Sequence, residues 1–319
     1  MAAPTNTITA LNNIGQREDL QDVIYRVAPE ETPFISNIGR TSVSAVYHEW
    51  QTEDLAAPSA TNAILSGDDA GTLGAGNFTT RVGNYCQISR KTGVVSGTQQ
   101  SVDLAGRDDE LDRQKTLKGL ELRRDMEIRV VGNNASRVES GSDARLTGGA
   151  SAWMTTNTSN GAGGSNGGWS ANIVGAATPG TARAFTEDLV KSVHLQCFNS
   201  GGRPNMAIMG GGLKQKFSSF PGIADIRVNT GRNQQASIVA GAEVYVGDFG
   251  QLTLVAHQYA LPEECLLIQT DHWAIGTLRP IFSEPLAKTG DADKFQIVSE
   301  YCLVARNQKS SGAIRAVQP

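Results

Sequence analysis

Residues 55–78 read LAAPSATNAILSGDDAGTLGAGNF, and this stretch decides how the rest of the chain is read. It lies between two segments with strand-like alternation, SVSAVYHEWQTE (residues 42–53) and FTTRVGNYCQISRKTGVVSGT (78–98). A hairpin needs only about two to five residues to turn; this connection has 24. Ordering each of them costs about 1–2 kcal/mol. Its large apolar residues are Leu55, Ile64, Leu65, Leu73 and Phe78, each worth about 1.5–3 kcal/mol when fully buried. So few anchors cannot hold so long a segment. Something outside its own domain must hold it.

The flanking strands share the problem. Val46, His48, Trp50 and Thr52 alternate onto one face, and Val43, Ala45 and Tyr47 onto the other. The return strand carries Gly83 and Gly93, where bulges or bends are expected. A two-stranded ribbon is marginal alone in water. Before it, residues 1–42 form a polar arm with a short helix expected at Leu20, Val23, Ile24 and Val27, then an extended PEETPFISNIGR (29–40).

After the ribbon, GRDDELDRQKTLKGLELRRDMEIRVVGN (106–133) reads as a long helix, with acids at its start and Gly132 as its stop. Leu111, Leu122, Met126 and Val130 form one apolar stripe; Leu117, Leu120, Ile128 and Val131 form a second. Two apolar faces predict a strut packed between layers, supported by Asp109–Arg113 and Asp125–Arg129 pairs. Residues 141–180 are rich in Gly, Ser, Thr and Asn and read as a surface excursion, although Trp153 and Trp169 imply docking. A second helix is expected from Thr186 to Gly201, then strand NMAIMG, helix LKQKFSSF, a hairpin in AEVYVGDFGQLTLVAHQ, and one long strand in KFQIVSEYCLVARN. Strands and helices are not regularly interleaved, so the class is α+β.

Composition narrows the function. The 319 residues carry a formal charge of −4, which argues against a nucleic-acid reader or a polybasic membrane-surface protein. No apolar run approaches a membrane span, and the N-terminus lacks the pattern of a secretory signal. Cys86, Cys197, Cys265 and Cys302 are far apart and read as buried thiols in a reducing compartment. His48, His194, His257 and His272 form no metal-ligand spacing. GGGLKQKF (210–217) resembles a phosphate loop but places Gln215 where the magnesium-binding hydroxyl belongs. Asp68–Asp69 lacks a loop-closing glutamate for calcium, and Asp108–Asp109 and Glu263–Glu264 read as helix-start or solvated charge. No catalytic, cofactor or metal residue is assigned, and the reading is not an enzyme. An arm and a ribbon that cannot bury themselves point to a self-assembling subunit completed by its neighbours.

Three segments carry a family resemblance. DLQDVIYRVAPEETPFISNIGRTSVSAVYHEWQTEDLAAP (19–58) resembles the N-terminal signature of a group of tailed-bacteriophage major capsid proteins. The 106–133 helix is similar to that group's spine-helix segment, and LRPIFSEPLAKTGDADKFQIVSEYCLVARNQKSSGAI (278–314) resembles its C-terminal signature. The resemblance implies the HK97-like capsid fold. Residues 1–42 would be the N-arm, 43–98 the E-loop ribbon, and 99–134 a peripheral domain with the spine helix. Residues 135–270 would form the axial domain, with the Gly-rich insertion at 141–180, and 271–319 would return as strands to the peripheral domain. The implied function is a virion capsid, assembled in the host cytoplasm from hexamers and pentamers into an icosahedral head. It would enclose double-stranded DNA without sequence-specific binding, with no membrane. A portal protein, a separate scaffold or none, and a decoration protein would be its partners. Covalent cross-linking, which needs a matched lysine, asparagine and glutamate, is not assigned. Inter-subunit contacts are expected from Trp50, Leu55, Ile64, Leu65, Leu73, Phe78 and Arg81. The competing readings are a tail-tube or decoration protein, against which the strut helix speaks, and an intracellular enzyme with dispersed site residues.

Overall fold

The computed structural model describes residues 26, 28–67, 69, 71, 76–106, 108–220 and 243–319. Its elements in chain order are α1 (Pro33–Asn37), β1 (Gly39–Ser42), β2 (Tyr47–Thr52), β3 (Thr80–Tyr85), β4 (Gln87–Ser96), α2 (Gly97–Ser101), α3 (Glu110–Val131) and α4 (Ala150–Trp153). Then come β5 (Thr158–Ser159), β6 (Gly168–Ser170), β7 (Ile173–Gly175), β8 (Arg183–Ala184), α5 (Glu187–Asn199), β9 (Met206–Gly210) and α6 (Gly211–Ser218). The chain ends with β10 (Val244–Gly247), β11 (Gly250–His257), β12 (Cys265–Ile268), β13 (Trp273–Leu286), β14 (Ala292–Ala305), β15 (Gly312–Ile314) and β16 (Val317–Gln318).

The long helix forms where the periodicity places it. The Asp109 carboxylate accepts the N–H groups of Leu111 and Asp112, which caps the first turn. At the other end the Gly132 N–H bonds to the Ile128 carbonyl. Leu122, Met126 and Val130 are buried, but the second stripe is only partly covered: Leu117 and Leu120 are half-buried and Ile128 is exposed. The expected sandwich is therefore incomplete within the chain. The expected ion pairs also differ. Asp109 is occupied as the cap, so Arg113 pairs with Glu110 (3.3 Å), and Asp125 reaches Lys91 of β4 (2.6 Å).

That salt bridge ties α3 to a four-stranded sheet ordered β1-β13-β14-β4, parallel at β1–β13 and antiparallel elsewhere. β4 thus leaves the ribbon, whose paired strands are only β2 and β3; the expected ribbon to residue 98 is shortened because β14 offers β4 a longer partner. Neither Gly83 nor Gly93 is a bulge, since both sit in regular register. Each is glycine because an aromatic ring lies on it: a Cβ would meet the Phe295 ring at 2.4 Å from Gly93 and the Tyr47 ring at 2.7 Å from Gly83.

PFISN, expected to be extended, is a helical turn instead. Proline at the first position presets its φ, and the buried Glu127 carboxylate on α3 accepts the N–H groups of Phe34 (2.6 Å) and Ile35 (2.9 Å). Glu127 also bonds His257 Nε2 (3.2 Å), so one carboxylate joins α1, α3 and β11. His257 Nδ1 accepts from the backbone of Tyr259 and Ala260, which leaves Nε2 as the ring donor. The helix expected at Leu20–Val27 lies outside the described residues.

A second sheet of six strands runs β10-β11-β9-β12-β15-β5. Its central strands are apolar on both faces, hence the unbroken run MAIMG. Met206 and Ile208 join a core shared with Trp273, Tyr301 and α3, while Ala207 and Met209 pack under α5 and α6 with Phe185, Leu213 and Phe217. β15 crosses back into this sheet and β16 pairs with β8, so only β13 and β14 of the C-terminal segment join the four-stranded sheet. The 141–180 segment is a surface excursion only in part: residues 141–144 and 170–173 stand at the surface, but the stretch between them sends side chains inward. Ala150, Ala152, Trp153, Met154 and Val174 are buried. Fully buried Arg315 organises them, donating to Ser151 O, Met154 O and Asn160 Oδ1. Glu264, expected in solvent, is instead a half-buried acid near Arg315; it accepts from Ser151 Oγ (2.6 Å), and desolvation raises its pKa above the usual carboxylate range. All four cysteines are buried and free. No helix among the described residues is long and apolar enough to cross a membrane.

Candidate functional site

The candidate site is the finger carried by β2 and β3. These strands pair antiparallel in unbroken register from Tyr47↔Tyr85 to Thr52↔Thr80. Cross-strand aromatic contact stiffens the pair, with the Tyr47 and Tyr85 rings 4.6 Å apart.

The base of the finger is clamped to the body by polar and aromatic contacts. Buried Asn84 donates to Gly148 O (3.2 Å) and Leu303 O (2.8 Å), and accepts from Gly148 N–H (2.9 Å). Arg145 donates to Cys86 O (2.6 Å) and pairs with Glu300, which also binds Arg279. The two tryptophans of the Gly-rich segment dock here. Trp153 packs on Trp50 (5.4 Å between ring centroids), and Trp169 Nε1 donates to the Tyr47 hydroxyl (3.2 Å). Burial around Tyr47 raises its pKa, opposed by the Trp169 hydrogen bond, and burial lowers that of His48. The last anchor is Lys309–Asp54 (2.5 Å).

Beyond Asp54 the described residues up to Thr79 are exposed. Leu55 is 91% exposed, Ile64 82%, Leu65 79% and Phe78 88%. Scattered exposed apolar residues are ordinary, but four on one segment are a concentration that stands out. Of the sequence-expected contact residues, these four stand free for a neighbour. Trp50 is turned toward its own chain, half-buried on Trp153, and acts as an anchor because the Gly-rich segment brings an indole to it. Arg81 forms an exposed ion pair with Glu49 across the ribbon (3.1 Å). Leu73 lies outside the described residues. Sequence reasoning missed Asn84, Arg145 and Lys309; an asparagine inside a strand pattern was the one available signal.

No group of three or more metal-ligating side chains converges among the described residues. Cys86 and Cys302 are the two thiols that meet, in a small apolar cluster with Val43 and Ala274. Their hydrogen bond holds the Cys302 thiol well above its ordinary pKa, with burial in support.

Comparison with known proteins adds the following. A family model described as SU10 major capsid protein matches residues 3–318. The major capsid protein of Escherichia phage Phieco32 is 24% identical over 353 aligned residues, covering 98% of this chain and 97% of that protein. Among solved structures, a chain of Gordonia phage Cozz superposes with a TM-score of 0.63 at 11% identity, covering 99% of this chain and 97% of its own. A phage G structure of major capsid proteins with decoration proteins gives a TM-score of 0.54 at 11% identity, covering 99% of each chain.

Proposed function

This chain belongs to the SU10 major capsid protein family and is the structural shell protein of a tailed-phage head with the HK97-like fold, and from that premise we propose that its finger lies across an adjacent copy in hexamers and pentamers of an icosahedral capsid. The observation that carries this reading is the contrast along the finger. Its base is fixed by buried hydrogen bonds, while Leu55, Ile64, Leu65 and Phe78 have no cover from their own chain.

Residues 1–42 act as the N-arm in this reading. The four-stranded sheet with α3 is the peripheral domain, and the six-stranded sheet is the axial domain at the capsomer centre. Leu73 shares the contact role of the other finger residues. The head encloses double-stranded DNA without reading its sequence, which fits a chain whose formal charge is −4 and which carries no net positive charge to hold phosphate tightly. A portal protein and a separate scaffold complete the head. The phage G structure pairs its major capsid proteins with decoration proteins, and a decoration protein on this shell follows the same pattern. Electron microscopy of the purified, assembled protein tests the reading. Closed shells are expected; open tubes or a persistent monomer would overturn it.

A further inference from the structure

Cys86 stands at the junction where β3 gives way to β4, and Cys302 lies in β14, an inner strand of the four-stranded sheet. The β4–β14 register runs to Gln87↔Tyr301, and its next step sets Cys86 opposite Cys302. Leu303 turns its backbone toward this junction: its N–H donates to Thr147 Oγ1 (3.1 Å) and its carbonyl accepts from Asn84 (2.8 Å). Successive residues of a strand send these groups opposite ways, so those of Cys302 face β13. Cys86 spends its own N–H on Val46 O (2.8 Å) and its carbonyl on Arg145 (2.6 Å). The two cysteines therefore form a non-hydrogen-bonded pair, the kind whose Cα atoms lie about 4.5 Å apart with side chains close. A disulfide spans Cα separations of about 4.4–6.8 Å. The Cys302 sulfur is also held in place over Gly276 of β13, where a Cβ would meet it at 2.8 Å.

The surroundings separate this pair from the other two thiols. A hydrogen bond from Cys302 holds the Cys86 thiol below its ordinary pKa, with the Arg145 guanidinium in support and burial and Glu300 opposed. The same bond holds Cys302 high. One sulfur is thus the readier nucleophile, and the other is a neighbour placed to resolve it. Cys197 and Cys265 are pushed up to about 12 by burial, and Cys197 bonds to Asn157. All four are buried, so only a small oxidant reaches them, when the sheet opens locally.

We propose that Cys86 and Cys302 are a latent disulfide site that a small peroxide closes, tying the root of the finger covalently to the inner strand β14. The Cys86 thiolate attacks a peroxide oxygen and the O–O bond breaks. The released hydroxide takes up the proton lost by Cys86 and leaves as water, with Cys86 now a sulfenic acid. The Cys302 sulfur then attacks the Cys86 sulfur, the S–O bond breaks, and the Cys302 proton leaves with that hydroxide as a second water. The two sulfurs lose two electrons and the peroxide gains them. Cytoplasmic thiols stay reduced, so the bond belongs to the chain once it has left a reducing compartment. It forms within one chain and stands apart from the shell reading.

The full chain is purified under reducing conditions, treated with hydrogen peroxide and unfolded, and its remaining thiols are titrated with an aromatic disulfide reagent. Two thiols are expected in place of four, and peptide mapping should find the Cys86 and Cys302 peptides joined, two hydrogens lighter than their sum. The Cys86→Ser and Cys302→Ser variants are each expected to keep all three of their thiols. Four thiols retained by the unaltered chain, or loss spread equally over Cys197 and Cys265, would overturn the proposal whether or not the variants fold. The oxidised chain is expected to melt on the order of 5 °C above the reduced one, and dithiothreitol should reverse the rise. A midpoint that does not rise would overturn the bond's role as a tie. Neither readout involves shell formation, so failure here leaves the shell reading intact.

Discussion

Deleting residues 60–74 separates folding from assembly. The excision removes Ile64 and Leu65, which are 82% and 79% exposed and belong to none of the hydrophobic core clusters. The base survives: the register from Tyr47↔Tyr85 to Thr52↔Thr80, the Asn84 hydrogen bonds and the Trp50–Trp153 contact all lie outside the cut. Shortening the connection also reduces the entropy of closing it. The thermal midpoint of the isolated subunit is therefore expected to stay close to that of the full chain. Assembly loses two buried side chains per subunit contact, at about 1.5–3 kcal/mol each, or about 3–6 kcal/mol together. That corresponds to a factor on the order of 10² to 10⁴ in the association constant. Circular dichroism with sedimentation velocity measures both halves, and the expected result is a folded subunit that sediments slowly at concentrations where the full chain forms shells. An unfolded deletion variant, or shells at the wild-type concentration, would refute the reasoning.

Further expectations concern the interior. Glu127→Ala removes the acceptor for two backbone N–H groups and for His257, and each buried donor left unsatisfied costs about 1–3 kcal/mol, read as a drop in the urea midpoint. Leu122→Ala at a fully buried position costs about 2–5 kcal/mol, and Leu120→Ala at a half-buried one costs less; equal losses would contradict the single covered face of α3. Alkaline pH should destabilise the subunit. Burial pushes the Cys197 and Cys265 thiols from 9.0 to about 12, and the Tyr259 and Tyr301 hydroxyls from 10.0 to about 12. With each folded pKa raised, the native state holds more protons than the unfolded chain. Stability is therefore full below pH 9 and is lost as pH rises through about 12; urea midpoints that stay flat or rise over that window would contradict it.

Some of this architecture is legible in the residues alone. The α3 helix, the α5 helix, the hairpin of β10 and β11 and the long β14 strand all stand where periodicity and end signals place them. Those signals act within a turn or between adjacent residues, so a linear reading contains them. The finger is legible too, through a shortage: too few apolar anchors for too long a segment. What the linear reading lacked was the distant partner. The turn at Pro33 forms because a carboxylate 93 residues away accepts its N–H groups. β4 pairs with β14 in preference to continuing the ribbon, and β15 returns to the other sheet. The Gly-rich segment is folded inward by a guanidinium 164 residues away, and Trp50 becomes an anchor when that segment brings Trp153 to it. Local propensity and patterning determine which segments become helix, strand or unsupported finger. Only the tertiary structure decides which buried polar group finds which partner, because that choice depends on the desolvation of groups that meet nowhere in the sequence.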